Sequence, residues 1–66
     1  MKDIDKEIIK GLADNDLNIT HTAKAIYMSR RNLFRHIERI EEQTGLNPRK
    51  FWDLIELMKT EKGGAE

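Results

Sequence analysis

The chain has no cysteine, one proline, one tryptophan, one tyrosine and two phenylalanines among its 66 residues. Without cysteine there is no disulfide framework and no thiolate metal site, which fits a reducing cytoplasm. No apolar run approaches the roughly 18 residues that a membrane span requires, and no signal-peptide hydrophobic stretch follows Met1. The sequence therefore reads as soluble and cytoplasmic, with no membrane partner. Segments alternating with period two are also missing, so nothing supports a strand. A chain this short buries only about 60% of its unfolded surface, which limits it to one domain with a thin core that a partner chain would reinforce.

Net charge is absent as well, because 12 basic and 12 acidic residues cancel. The cancellation is not uniform. Residues 1 to 16 carry three lysines against five acids, and residues 41 to 66 carry four bases against six acids. Residues 17 to 40 carry Lys24, Arg30, Arg31, Arg35 and Arg39 against Glu38 alone. A basic centre between acidic flanks is the electrostatic footprint expected for a polyanion.

Periodicity and capping residues predict an all-α domain of four helices, at about 3–14, 21–27, 30–44 and 48–60. Ile4, Ile8 and Leu12 recur at four-residue spacing in the first, where Gly11 weakens the helix by about 1 kcal/mol relative to alanine. Thr20 is a suitable N-cap for the second. Ser29 caps the third, whose Leu33, Ile37 and Ile40 form an apolar stripe and whose end is marked by Gly45 in a left-handed conformation. Asn47 followed by Pro48 opens the fourth. The domain spans 1–62, and 63–66 is a frayed tail.

The second and third helices are separated by two or three residues, too few for a relaxed antiparallel hairpin. They should cross steeply, as in a helix-turn-helix, with Ala23, Ile26, Met28, Leu33 and Ile37 at the seam. With Leu33, Ile37 and Ile40 turned inward, Arg31, Asn32, Arg35 and Arg39 have to face mostly outward. Arg30, Arg31 and Asn32 fall in the first turn, the part of a recognition helix that reaches base edges in the major groove. Arginine can bond both guanine acceptors and asparagine both adenine groups, each good pair discriminating by roughly 1 to 3 kcal/mol. Thr20 and His21 open the preceding helix, where phosphate is a suitable neighbour. The expected DNA-binding set is Thr20, His21, Ser29, Arg30, Arg31, Asn32, Arg35 and Arg39. Phe34 could touch a thymine methyl or pack on the first helix, with packing the preferred role.

The stretch "NITHTAKAIYMSRRNLFRHIERIEEQTGL", Asn18 to Leu46, resembles the C-terminal helix-turn-helix of PucR-type transcription regulators, including the sugar-diacid CdaR-type. It is more distantly similar to the Fis and NtrC C-terminal domains. The match runs without a gap through Thr22, Ala23, Ile26, Arg30, Leu33, Ile37 and Arg39, and "IEEQTGL" followed by another helix is its most PucR-like part. The resemblance implies a DNA-binding module that usually ends a longer regulator and acts as a dimer. Four positions depart from the pattern. Tyr27 stands at the turn where Fis-like domains have glycine, and a tyrosine with positive φ would be strained, which predicts a turn of different shape. Arg31 and Asn32 replace smaller or hydroxyl-bearing residues, and Phe34 is apolar where a base is common. The target sequence of a relative therefore does not transfer.

Other chemistry finds little support. His21 and His36 lie on different predicted helices without ligand-like spacing, so neither metal nor cofactor is expected. No nucleophile, base and orienting group are juxtaposed, and the chain is not an enzyme. In the fourth helix, however, Phe51, Trp52, Leu54, Ile55, Leu57 and Met58 spread over an arc of roughly 220°. A surface helix covers little more than about 100°. The excess predicts a second buried contact, with these six residues forming a two-fold dimer interface. The resulting reading is a sequence-specific, nucleoid-associated regulator domain that binds double-stranded DNA as a homodimer on a palindromic site. A protein-interaction module using the fourth helix, and a nonspecific architectural DNA binder of Fis type, remain alternatives.

Overall fold

Four helices account for the architecture: α1 (Asp3–Asp14), α2 (Ile19–Ala25), α3 (Arg30–Thr44) and α4 (Phe51–Gly63). The computed structural model describes residues 2–63, with side chains through Lys59. Residues 64–66 of the expected tail lie outside the described residues, and Gly63 belongs to α4. No strand occurs among the described residues, and no helix there is long and apolar enough to cross a membrane.

α1 packs against each of the other helices, and α2 packs on α3. The core reflects this arrangement. Ile8, Ile9 and Leu12 from α1 meet Ala23 from α2, Leu33, Ile37 and Ile40 from α3, and Leu54 and Leu57 from α4. Burying each large aliphatic side chain contributes about 1.5 to 3 kcal/mol, so this single cluster carries most of the fold's stabilisation.

Each chain reversal after a helix uses a left-handed residue. At the end of α1, Asp16 and Leu17 have φ of 55° and 63°, and the Leu17 N–H donates to the Leu12 carbonyl at 2.7 Å. At the end of α3, Gly45 has φ 76° and its N–H donates to the Glu41 carbonyl at 2.8 Å. Both arrangements satisfy carbonyls that the helix leaves without an internal partner.

Two helix starts differ from expectation. α2 begins at Ile19 because Asn18, not Thr20, is its cap, with the Asn18 side chain accepting the His21 N–H at 2.9 Å. α4 begins at Phe51 because Asn47 organises a turn ahead of it. The Asn47 side chain accepts the Arg49 N–H at 2.9 Å, its carbonyl accepts the Lys50 N–H at 3.0 Å, and its own N–H donates to Asp53 Oδ2 at 3.0 Å. These local bonds compete with helix over 48–50.

Gly11 has a role that composition alone conceals. A Cβ there would lie 3.0 Å from Thr22 Cγ2, and the Thr22 hydroxyl donates to the Gly11 carbonyl at 3.3 Å. The glycine thus sets how closely α1 approaches α2, and that spacing fixes the position of the helix-turn-helix on the core.

Candidate nucleic-acid interface

The turn between α2 and α3 closes through two hydrogen bonds. The Met28 N–H donates to the Ala23 carbonyl at 2.9 Å, and the Tyr27 N–H donates to the Lys24 carbonyl at 3.2 Å. This is the Schellman pattern, and it requires a left-handed residue at position 27. Tyr27 supplies it with φ 56°, so the expectation of a differently shaped turn is not met. Closing the turn and packing the half-buried Met28 against the core offset the strain. The Tyr27 side chain itself is 97% exposed and gains nothing from packing.

Ser29 then starts α3, its Oγ accepting the Asn32 N–H at 3.1 Å. Leu33, Ile37 and Ile40 are buried, which fixes the rotation of the helix about its axis. Arg30, Arg31, Asn32 and Arg35 are consequently exposed together on its outer side, with Ser29 exposed at its start. Thr20 and His21 are exposed at the start of α2. The His21 backbone N–H is already held by Asn18, so an anion contact by His21 has to come from its side chain.

Arg39 does not share the outward orientation expected for it. Its side chain is 35% exposed, and Nη2 donates to Asp5 Oδ1 at 3.3 Å and to His36 Nδ1 at 2.9 Å. Asp5 is only 1% exposed, so its carboxylate draws the guanidinium inward. An ionised carboxylate removed from water is costly unless paired. Arginine cannot accept, so His36 Nδ1 must be the acceptor and the imidazole carries its proton on Nε2. Asp5, Arg39 and His36 thereby tie the first turn of α1 to the middle of α3. The sequence shows two charges far apart in the chain and no periodicity that would pair them.

Phe34 departs from expectation too. Instead of packing on α1, its ring lies beneath Arg49, with Cζ 5.0 Å from the ring centroid. Arg49 and Lys50 are exposed, and Pro48 beside them is buried.

A separate exposed patch, at the start of α4, is apolar. Phe51 is 56% exposed and Trp52 76%, their rings meeting edge to face with centroids 5.1 Å apart. A groove of about 330 Å³ runs between Leu12 and Leu17 on one side and Phe51, Ile55 and Met58 on the other. Leu54 and Leu57, expected at a dimer interface, are instead core residues, because α4 uses them to pack against α1. The uncovered part of the α4 apolar arc is therefore Phe51 and Trp52, with Ile55 and Met58 half-buried.

Compared with known families, the model of the PucR C-terminal helix-turn-helix domain matches residues 7–58. The match contains α2, the turn, α3 and most of α1 and α4. No curated protein and no solved structure matches the chain.

Proposed function

Since the chain belongs to the PucR C-terminal helix-turn-helix family, a non-catalytic DNA-binding domain of transcription regulators, we propose that it binds DNA sequence-specifically with α3 in the major groove. The observation that carries this reading is the outer face of α3. Arg30, Arg31, Asn32 and Arg35 are exposed on a helix whose opposite side is locked into the core by Leu33, Ile37 and Ile40. Arg31 and Asn32 read base edges, and Arg30 and Arg35 share base and phosphate contacts. Thr20, His21 and Ser29 contact the backbone through their side chains. Arg39 positions α3 through Asp5.

The second part of the proposal is that the domain acts as a dimer on a palindromic site. Support comes from the uncovered Phe51 and Trp52 and the groove beside them. Two copies related by a two-fold axis would address half-sites about 34 to 36 Å apart, or a multiple of that spacing.

Enrichment from a random duplex pool, followed by titration of the enriched duplex, tests the reading. The expected result is a defined motif with two-fold symmetry, and Arg31→Ala should weaken binding by about 1 to 3 kcal/mol while relaxing preference at one base pair. A pool that yields no motif, with strong salt dependence, would make the domain an architectural binder. No binding to any duplex at low salt would leave the apolar α4 surface as a protein-interaction site.

A further inference from the structure

The expected recognition surface ends at α3, but the basic surface of the folded molecule does not. Phe34 lies 40° around α3 from Arg30 at about 100° per residue, on the edge of the exposed face. The Arg49 guanidinium lies over its ring at 5.0 Å. Residues 41–66 are acidic as a segment, yet the folded chain brings Arg49 to the flank of the recognition helix, with Lys50 next to it in sequence.

We propose that Arg49, stacked on Phe34, and the adjacent Lys50 form a second, sequence-independent clamp for the DNA phosphate backbone beside the recognition helix. The inference rests on the reading that α3 enters the major groove. Three observations carry it.

The Arg49 guanidinium rests against the Phe34 ring, and no anion among the described residues holds it. Among the described residues no carboxylate pairs with Arg49 or Lys50. A guanidinium that lies on an aromatic face keeps its N–H edges free, and those edges fit a phosphate with two parallel bonds.

The backbone beneath the two cations is fixed as well. Asn47 holds both of their N–H groups, Asp53 holds Asn47, and Pro48 is buried. A long side chain ordered before binding loses less entropy when it makes its contact.

Position also favours phosphate over bases. With Arg31 and Arg35 at the centre of the exposed α3 face, a group at its edge meets the wall of the groove, where the sugar–phosphate backbone runs. Phe34 is then the platform that places a cation there, which gives an apolar residue on a DNA-reading helix a function.

Fluorescence anisotropy with the enriched duplex and with a scrambled duplex, over a range of salt concentrations, tests the clamp. Arg49→Ala should weaken binding to both duplexes by a similar factor, about tenfold, as expected for a lost charge-assisted hydrogen bond. The slope of log K against log salt should fall by about one. Lys50→Ala should lower the slope likewise. Phe34→Leu should cost about two- to fivefold in affinity, and this cost should vanish in an Arg49→Ala background. Circular dichroism checks that each variant is folded, since Arg49 and Lys50 are exposed and Phe34 is half-buried. Wild-type binding combined with unchanged affinity and slope in Arg49→Ala and Lys50→Ala would overturn the clamp and leave the α3 reading intact. A Phe34→Leu loss that persists without Arg49 would overturn the platform and make Phe34 a direct contact. Failure of the wild-type chain to bind any duplex would overturn the α3 reading and the clamp together.

Discussion

Two residues stand out for what they cost the fold. Asp5 is a buried carboxylate held by Arg39, whose Nε is itself buried without a hydrogen-bond partner. Removing one member of such a pair is far worse than removing both. Arg39→Ala should therefore destabilise the domain by about 3 kcal/mol in urea denaturation, the lower end for a buried pair because Arg39 is partly exposed. The double replacement Asp5→Leu with Arg39→Met should return to within about 1 kcal/mol of wild type. If Arg39 only positions α3, that double variant keeps its DNA affinity. A double variant that is stable but binds poorly would make Arg39 a DNA contact.

Tyr27 is the other. Its left-handed backbone costs about 1 to 2 kcal/mol, and its fully exposed side chain returns no packing. Tyr27→Gly should relieve that strain and, after the greater chain entropy of glycine, raise stability by about 0.5 to 1 kcal/mol. A loss in thermal melting would show that the tyrosine makes a stabilising contact.

At the scale of elements, the crossing of α1 and α2 depends on Gly11. Helix propensity alone favours Gly11→Ala by about 1 kcal/mol. Here the added methyl meets Thr22 Cγ2 at 3.0 Å, and Thr22 is fully buried and held by its own hydrogen bond to Gly11. Overpacking costs about 1 to 3 kcal/mol, so the variant should be less stable than wild type by about 1 kcal/mol. An increase in denaturation midpoint would mean that α2 can move away without penalty.

The elements also show what a sequence reveals. α3 occupies Arg30–Thr44 as its stripe and caps predict, because Ser29, Leu33, Ile37, Ile40 and Gly45 all favour the same helix. The starts of α2 and α4 were less legible, since Asn18 and Thr20 are both able caps and an asparagine turn competes with a helix that opens on proline. The exposure of Arg30, Arg31, Asn32 and Arg35 follows from the buried stripe, which is local information. Arg39 and Arg49 could not be placed that way. Their partners, Asp5 and Phe34, are distant in sequence, and only the packing of α1 and the 47–50 turn against α3 brings them together.

For the whole molecule, the fold separates two surfaces. The outer face of α3 is one exposed surface, and Phe51 and Trp52 beside an apolar groove form another. The proposed two-fold dimer would use the second surface and leave the outer face of α3 to DNA. If it does, Trp52→Lys should shift sedimentation velocity from dimer to monomer at the same protein concentration, with little change in the circular dichroism of the exposed site. A wild-type chain that stays monomeric at high concentration and on DNA would remove this part of the account.

The central claim is that α3 is the element that meets DNA. Backbone amide shifts of the isotopically labelled chain, followed by NMR during titration with the enriched duplex, test it most directly. The account predicts the largest changes at Ser29–Arg35, accompanied by Arg49 and Lys50, with the centre of α1 little affected. Changes confined to Phe51–Met58, or none at all, would contradict it.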